Sequence, residues 1–398
     1  MDYSQRVRKT IITGFDRAKE MIGGNHYADY FHSLKNQYPY FCVFGAGSLG
    51  SEMIQLLQEM GVTVDYVCDN NFDRAMAQYD LNPTPIRFGD LCAMKENCLV
   101  LVSPSNGPIR ANEAINYQLK AAGFEHVITN PVWKNMIFLL REITQMDKAV
   151  FLSKILEIVS WCEDDRSKAL IMDLMDQLFM DYRAIWGVNR IEQYYDPNQY
   201  FTDFVRQRSD ECFVDGGAFS GDTFESFYRW NLGKYEKYYG FEIDGNNRRV
   251  LMEKISRIER DDSKTEIFDC GLFDRNDRLD FFSQRDKSRI YENILNPAGM
   301  SRDSVKVRPL DDVLGDQKVT FLKMDIENSE VPALNGAKRI ITEQKPLCAI
   351  SVYHGLKQFV EVPGLLKKLN PNYRIRYRMH STVGHDIVCY AIDRSENQ

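Results

Sequence analysis

The chain has 398 residues, enough for two or three domains of about 150 residues each. Its content of 44% hydrophobic and 27% charged residues is that of ordinary packed domains, and its net charge of -7 argues against a general nucleic-acid partner, which needs a basic surface. We find no signal peptide and no apolar stretch of membrane-spanning length, so a cytoplasmic protein is expected. The nine scattered cysteines form no CxxC pair and predict buried hydrophobic positions.

The first third of the chain alternates between helical and strand patterns. Residues 1–35 have helical spacing, with Gly23 and Gly24 as a stop. A strand then enters a glycine turn at 40–50, an amphipathic helix ends at Gly61, and a second strand ends in an acid. The alternation continues to about residue 132, with a further helix and two strands. We therefore predict a Rossmann-like domain over residues 1–133.

A full G-x-G-x-x-G pattern lies in this first domain, between a strand and a helix. It consists of Gly45, Gly47 and Gly50, and Asp69 ends the next strand 19 residues after Gly50. Such a loop lets the backbone approach a pyrophosphate while the acid binds ribose hydroxyls, so the pattern predicts a nucleotide or nucleotide-sugar site. Two alternatives stay open: redox chemistry with NAD(P), and a module kept for docking or substrate presentation.

The remaining chain predicts a helical connector over 134–208 and a second α/β domain over 209–398. The connector carries an apolar stripe at helical spacing, which we expect to pack on a neighbouring domain. After residue 212 we find seven strand candidates, and the last two form a hairpin pattern. The predicted fold class is α/β, with two doubly wound Rossmann-like domains; the second sheet is mostly parallel, with one antiparallel strand at its edge.

A second glycine loop opens this C-terminal domain in "CFVDGGAFSGDT". Its spacing is Asp215-x-Gly217-x-x-x-Gly221, without the third glycine of a dinucleotide loop. An acid before the turn would repel a pyrophosphate and favours a cationic ligand, such as the ammonium and sulfonium groups of S-adenosylmethionine. Glu242 ends the second strand, where it can accept ribose hydroxyls. Asp269 and Cys270 follow at the end of the third strand, where the adenine edge would lie.

Several motifs in this order resemble the FkbM-type S-adenosylmethionine-dependent methyltransferases. They are "FVDGGAFSGDT", "FEID", "KVRPLDDVL", "FLKMDIENSEVPALNGA", "KPLCAISVYH" and "YRIRYRMHS", and the resemblance covers about residues 205–393. It implies the seven-stranded class I methyltransferase sheet and O-methyl transfer, often to sugars in polysaccharide biosynthesis. The cofactor-binding residues that it implies are Asp215, Gly217, Asp222, Thr223, Glu242 and Asp269.

Three stretches depart from the family pattern. Asn328 stands where the family usually has glycine in "DIEGAE", "YHGLKQF" lacks an acid that many members have there, and "RMHS" with "GHD" replaces the usual closing segment. These positions lie on the predicted substrate side. The departures therefore put the acceptor in doubt and leave the cofactor assignment intact.

Methyl transfer to a hydroxyl needs alignment and a base, and three residues are candidates for that base. Asp325 and Glu327 follow strand four, and His354 follows strand five, at the sheet edge where doubly wound folds bind ligands. Alternatively, Asp325 caps a helix or orients the cofactor, and His354 is structural. The three side chains could also hold Mg²⁺ or a transition metal, but they have no spacing signature, so we predict no metal site.

The leading hypothesis is an S-adenosylmethionine-dependent O-methyltransferase. It would methylate a hydroxyl of a sugar, a glycan or a related small molecule. The N-terminal domain would bind or present this acceptor in a nucleotide-linked form. An NAD(P)-dependent oxidoreductase and a non-catalytic binding protein are the alternatives. Arg378 and His380 are expected to contact an anionic acceptor or to lie on the solvated surface. The sequence leaves open whether the chain forms a homo-oligomer.

Overall fold

A computed structural model of the chain describes residues 2–23, 26–79, 82–103, 109–128, 142–143, 145–179, 192–284, 287–291, 301–381 and 386–393. Within these ranges, no helix is both long and apolar enough to cross a bilayer. The predicted domain boundary at 133/134 lies outside the described residues, and the boundary at 208/209 stays a prediction.

The N-terminal sheet has five parallel strands in the order β3-β2-β1-β4-β5. Its central strands are continuous apolar runs because helices cover both faces of a parallel sheet. The short strand β3 and the helices α4 and α5 were not foreseen from the sequence. The strands are β1 Tyr40–Phe44, β2 Tyr66–Cys68, β3 Thr84–Ile86, β4 Cys98–Val102 and β5 Val127–Ile128; the helices are α1 Tyr3–Gly23, α2 His26–Gln37, α3 Ser48–Glu59, α4 Phe72–Gln78, α5 Phe88–Ala93 and α6 Ile109–Ala121.

The first helix packs on the connector. Two connector helices are described, α7 (Lys148–Trp161) and α8 (Asp165–Phe179). The Phe15 ring lies 5.9 Å from that of Phe151 and 6.1 Å from that of Phe179, as measured between ring centroids. All three side chains are buried, so an aromatic cluster joins α1 to both connector helices. Helix α8 also contacts the strand Tyr373–Met379 of the C-terminal sheet.

The C-terminal sheet has seven strands in the order β15-β16-β14-β13-β6-β7-β8. Strand β16 runs antiparallel to both of its neighbours, so it lies one position in from the edge, whereas we predicted the antiparallel strand at the edge itself. The closing hairpin inserts its second strand between β14 and β15. The strands are β6 Cys212–Gly216, β7 Lys237–Phe241, β8 Thr265–Phe268, β13 Phe321–Met324, β14 Leu347–Ser351, β15 Tyr373–Met379 and β16 Ile387–Asp393.

A four-stranded sheet, absent from the sequence prediction, is inserted between β8 and β13 in the order β11-β10-β12-β9. The predicted third strand "TEIFDCGLFD" therefore splits, and its second half pairs with β12. The long strands of this insertion are rich in charged residues, so their hydrophobic alternation is weak. They are β9 Gly271–Leu272, β10 Asp277–Gln284, β11 Lys287–Tyr291 and β12 Ser301–Arg308.

The parallel order of the large sheet brings the carboxyl ends of its central strands to one edge. The chain passes from β6 to β7 and β8 on one side and later returns to form β13 on the other side of β6, so a crevice opens at this change of direction. The helices of this domain are α9 Asp222–Trp230, α10 Gly245–Ile258, α11 Leu310–Leu314, α12 Glu330–Asn335, α13 Lys338–Gln344 and α14 Leu356–Leu369.

Candidate active site

A cavity of about 650 Å³ lies at the carboxyl ends of β6, β7 and β13. Its lining combines residues predicted to bind a cofactor with residues predicted to act as the catalytic base. The lining residues that come from those predictions are Gly217, Asp222, Thr223, Glu242, Cys270, Asp325 and Glu327.

The second glycine loop forms one wall of the cavity. Gly217 has a φ of 78°, and a Cβ atom there would lie 2.0 Å from the Asp325 carbonyl oxygen. The loop backbone therefore packs directly on the end of β13, and only glycine fits. The chain then enters α9 at Asp222, which lies at the exposed lip, and Thr223 is buried behind it.

Glu242 follows β7 and ties two loops together. Its Oε2 accepts a hydrogen bond of 2.8 Å from the Phe219 amide, and its Oε1 accepts one of 2.7 Å from the Asp244 amide. Burial raises the pKa of this carboxyl, while the two amides act in the opposite direction. Each carboxylate oxygen has a second lone pair, so Glu242 can still accept a hydrogen bond from a ligand in the cavity.

Asp215 does not line the cavity. Its Oδ1 accepts a 2.8 Å hydrogen bond from Lys323 Nζ, its Oδ2 accepts one of the same length from Tyr238 Oη, and the residue has no exposed surface. Lys323 Nζ also donates to the carbonyl of Gly217 at 2.8 Å. The carboxylate thus neutralises a lysine under the loop, and it does not face a cationic ligand as we expected.

Of the two predicted residues after the third strand, only one lines the cavity. Cys270 is buried and lines the cavity, whereas Asp269 is exposed and lies outside the lining. A turn separates β8 from β9 here, so adjacent side chains point in different directions.

Asp325 receives hydrogen bonds from two tyrosines. Tyr200 Oη donates to its Oδ2 at 2.9 Å, and Tyr353 Oη donates to its Oδ1 at 3.3 Å. Tyr200 comes from the segment predicted as helical connector, and sequence reasoning gave no sign of it. Lys323 was also missed, although its place two residues before Asp325 in a buried strand could have drawn attention to it.

Glu327 and Asn328 form a turn at the edge of the cavity. Both have left-handed backbones, with φ of 52° and 82°. Asparagine tolerates this conformation better than most residues, which explains how it can replace the usual family glycine at this position. The turn places the Glu327 side chain in the cavity lining.

His354 lies among three carboxylates behind Asp325. Its Nε2 is 3.4 Å from Asp325 Oδ1 and 3.8 Å from Glu327 Oε2, and its Nδ1 is 3.0 Å from Glu330 Oε1. Burial disfavours the charged ring, but the carboxylates outweigh burial, with Glu330 first, and raise the pKa of His354 to about 9. The side chain is only 2% exposed.

Arg378 and His380 are both buried, so the expected position on the solvated surface is wrong. Arg378 pairs with Asp164 at 3.0 Å. His380 Nδ1 lies 2.8 Å from the Asp196 carbonyl oxygen, and its Nε2 lies 2.8 Å from Tyr390 Oη. The two side chains attach the connector segment to the end of β15, and neither lines the cavity.

The N-terminal glycine loop has the backbone geometry that its pattern predicts. Gly45 has a φ of 119°, and a Cβ atom there would lie 2.1 Å from the Ser103 carbonyl oxygen. Asp69 Oδ2 accepts a 2.8 Å hydrogen bond from the Ala46 amide. Gly47 has open space around it.

A seven-stranded sheet of this order, with a glycine loop and an acid at its carboxyl edge, defines the class I methyltransferase fold. Residues 215–375 match the methyltransferase FkbM domain. This match bears out the resemblance for that part of the chain and supports a methyltransferase.

A solved structure shares both parts of the fold. The crystal structure of methyltransferase FkbM from Methylobacillus flagellatus KT has a TM-score of 0.69 at 19% identity and covers 96% of this chain and 99% of that chain. Two other solved structures are much less similar. An rRNA methylase from Streptococcus thermophilus has a TM-score of 0.31 at 11% identity, with 47% of this chain and 88% of that chain covered. Fibrillarin from Aeropyrum pernix, solved with natively bound S-adenosyl-L-methionine, has a TM-score of 0.30 at 11% identity, with 49% of this chain and 73% of that chain covered. A search of the curated proteins finds no match.

Proposed function

We propose that the protein transfers a methyl group from S-adenosylmethionine to a hydroxyl of a sugar or glycan. The observation that carries this proposal is one cavity that joins the glycine loop, Glu242 and the acids after β13. A cofactor site and a proton acceptor therefore share a single space at the crevice where doubly wound sheets bind ligands.

The cavity fits the cofactor. The loop at Gly217 is too close to β13 for any side chain, so its backbone faces the ligand. Glu242 would accept the ribose hydroxyls, and Cys270, at the end of the third strand, would lie near the adenine. When bound, S-adenosylmethionine supplies a methyl carbon that forms a bond to the acceptor oxygen, while the bond to sulfur breaks and its electron pair stays on sulfur.

The chain's own contribution is alignment and removal of the hydroxyl proton. Asp325 and Glu327 line the cavity and can take this proton. Tyr200 and Tyr353 hold the Asp325 carboxylate in place through their hydroxyls. His354 has a raised pKa, so when no other cation is present it carries a proton at neutral pH and the role of base falls to the carboxylates.

The polarity of the cavity supports a neutral polyol as the acceptor. Glu242, Asp325, Glu327 and Asp386 all line it, and the lining lysine, Lys323, already pairs with Asp215. Carboxylates accept hydrogen bonds from sugar hydroxyls and repel phosphates.

Isothermal titration with S-adenosylhomocysteine tests the cofactor site. We expect one binding site per chain, and weaker binding in Glu242→Gln because a ribose hydrogen-bond acceptor loses its charge. Glu253→Gln, at an exposed glutamate of α10 outside the cavity lining, is the matched control and should bind like wild type. Absence of binding, or equal binding by Glu242→Gln and wild type, would refute the proposal.

A second titration addresses the N-terminal loop, for which we propose nucleotide or nucleotide-sugar binding. The close approach at Gly45 and the open space at Gly47 favour it. Nucleotide-sugars should raise the melting temperature of wild type but not of Gly47→Glu, whose side chain would occupy the phosphate position. Stabilisation by NAD(P) alone would favour an oxidoreductase, and no stabilisation by either would favour a docking module.

A further inference from the structure

We propose that Asp325, Glu330 and His354 form a binding site for a divalent transition-metal ion. One ligand atom from each residue lies within 4.8 Å of the other two. The sequence offered no spacing signature for this site, because its residues come from the end of β13, from α12 and from the segment after β14, which only the sheet brings together.

Unpartnered buried atoms are the independent observation that points to a ligand. Neither ring nitrogen of His354 has a hydrogen-bond partner, although Glu330 Oε1 lies 3.0 Å from Nδ1. Glu330 Oε2 is also buried without a partner, while its Oε1 accepts from the Ile326 amide. Buried polar atoms of this kind are rare in folded proteins, and a bound ion is one accepted reason for them.

The two carboxylates of the cluster favour a cation beside them. Asp325 and Glu330 flank the ring, and Glu330 has no exposed surface. Either a proton on His354 or a metal ion can supply the positive charge. An ion bound by both residues would satisfy Glu330 Oε2 and a ring nitrogen together.

The donor set and its spacing fit a transition metal. Two carboxylates and one imidazole suit Mn²⁺, Fe²⁺ or Zn²⁺ better than the all-oxygen preference of Mg²⁺ or Ca²⁺. Bonds of about 2.1 Å place neighbouring tetrahedral ligands roughly 3.4 Å apart. The Asp325 Oδ1 to His354 Nε2 distance of 3.4 Å is already in that range.

The site lies behind the cavity wall. Asp325 contributes to both, so a bound ion would orient the carboxylate that faces the acceptor. This inference concerns metal binding and stands independently of the acceptor proposed above.

The test is titration of EDTA-treated full-length protein with Mn²⁺, followed by calorimetry and electron paramagnetic resonance. We expect one ion per chain, with binding weakened about tenfold or more in Asp325→Asn and His354→Gln. Asp269→Asn, an exposed residue of the same type, should bind Mn²⁺ like wild type. Binding that is absent, or equal in all these proteins, would overturn the proposal.

A measurement on wild type avoids any dependence on variant folding. Electron spin-echo modulation of bound Mn²⁺ should show coupling to a directly bound nitrogen, and its absence from a stoichiometric complex would also overturn the site. S-adenosylhomocysteine titration on the same EDTA-treated sample separates the two proposals. Cofactor binding without metal binding would refute only the metal site, and the reverse result would refute only the cofactor site.

Discussion

Lys323 Nζ donates a 2.8 Å hydrogen bond to Asp215 Oδ1 beneath the glycine loop, and neither side chain is more than 2% exposed. The pair joins the neighbouring strands β6 and β13 of the seven-stranded C-terminal sheet. Although burial opposes the charge, Asp215 and then Asp325 raise the pKa of Lys323 above its ordinary value.

Removing one member of the Asp215–Lys323 pair should destabilise the folded protein. Lys323→Met leaves Asp215 buried without its cation, so we expect the free energy of unfolding to fall by about 3–5 kcal/mol in chemical denaturation. The double variant Asp215→Asn, Lys323→Met should recover part of this loss. A loss in the single variant that is no larger than in the double variant would contradict the pairing argument.

Tyr200 should stabilise the protein through Asp325. Tyr200→Phe removes the hydroxyl that donates to the carboxylate, which we expect to cost about 1.5–3 kcal/mol of unfolding free energy. Tyr117 is 76% exposed, so Tyr117→Phe is a matched control with a change within about 0.5 kcal/mol. Equal stabilities of the two variants would argue against a buried tyrosine–carboxylate bond.

Gly217→Ala should abolish S-adenosylhomocysteine binding. The new methyl group would overlap the Asp325 carbonyl oxygen at a left-handed backbone position, so the loop must move. Gly364→Ala is the control, because Gly364 lies inside α14 with open space around it. That change should leave binding intact and stabilise the protein by about 0.5–1 kcal/mol. Wild-type affinity in Gly217→Ala would show that the loop does not approach the ligand.

Stability should decrease in mild acid because of His380. Burial, aided by Arg378 and Arg166 and opposed by Asp196, lowers the pKa of His380 from 6.5 to about 4. The unfolded chain therefore binds a proton that the folded chain does not, so this contribution is present above pH 6.5 and is lost as the pH falls toward 4.

Between pH 7 and pH 5 the predicted loss is about 2 kcal/mol, at about 1.4 kcal/mol per pKa unit. Denaturation curves at both pH values check it, and His380→Gln should show a smaller pH dependence than wild type. An identical dependence in the two proteins would mean that His380 titrates normally when folded.

The elements of the C-terminal sheet were largely predictable because their signals are local. Strand β6, the turn at Gly217 and the start of α9 follow from an apolar run, a glycine and a helix-starting acid within a dozen residues. Glu242 at the end of β7 and the acids after β13 followed in the same way. Charged strands such as β10 gave no such signal, so the inserted sheet escaped prediction.

The sequence by itself determined the class of sheet, the two glycine loops and the edge at which the site lies, since periodicity and turn chemistry act over a few residues. The tertiary structure decided which charges meet. Asp215 faces Lys323, 108 residues away, instead of a ligand, and Tyr200 reaches Asp325 across 125 residues. It also surrounded His354 with carboxylates from separate elements. Such contacts depend on how distant segments pack, and no local pattern records that packing.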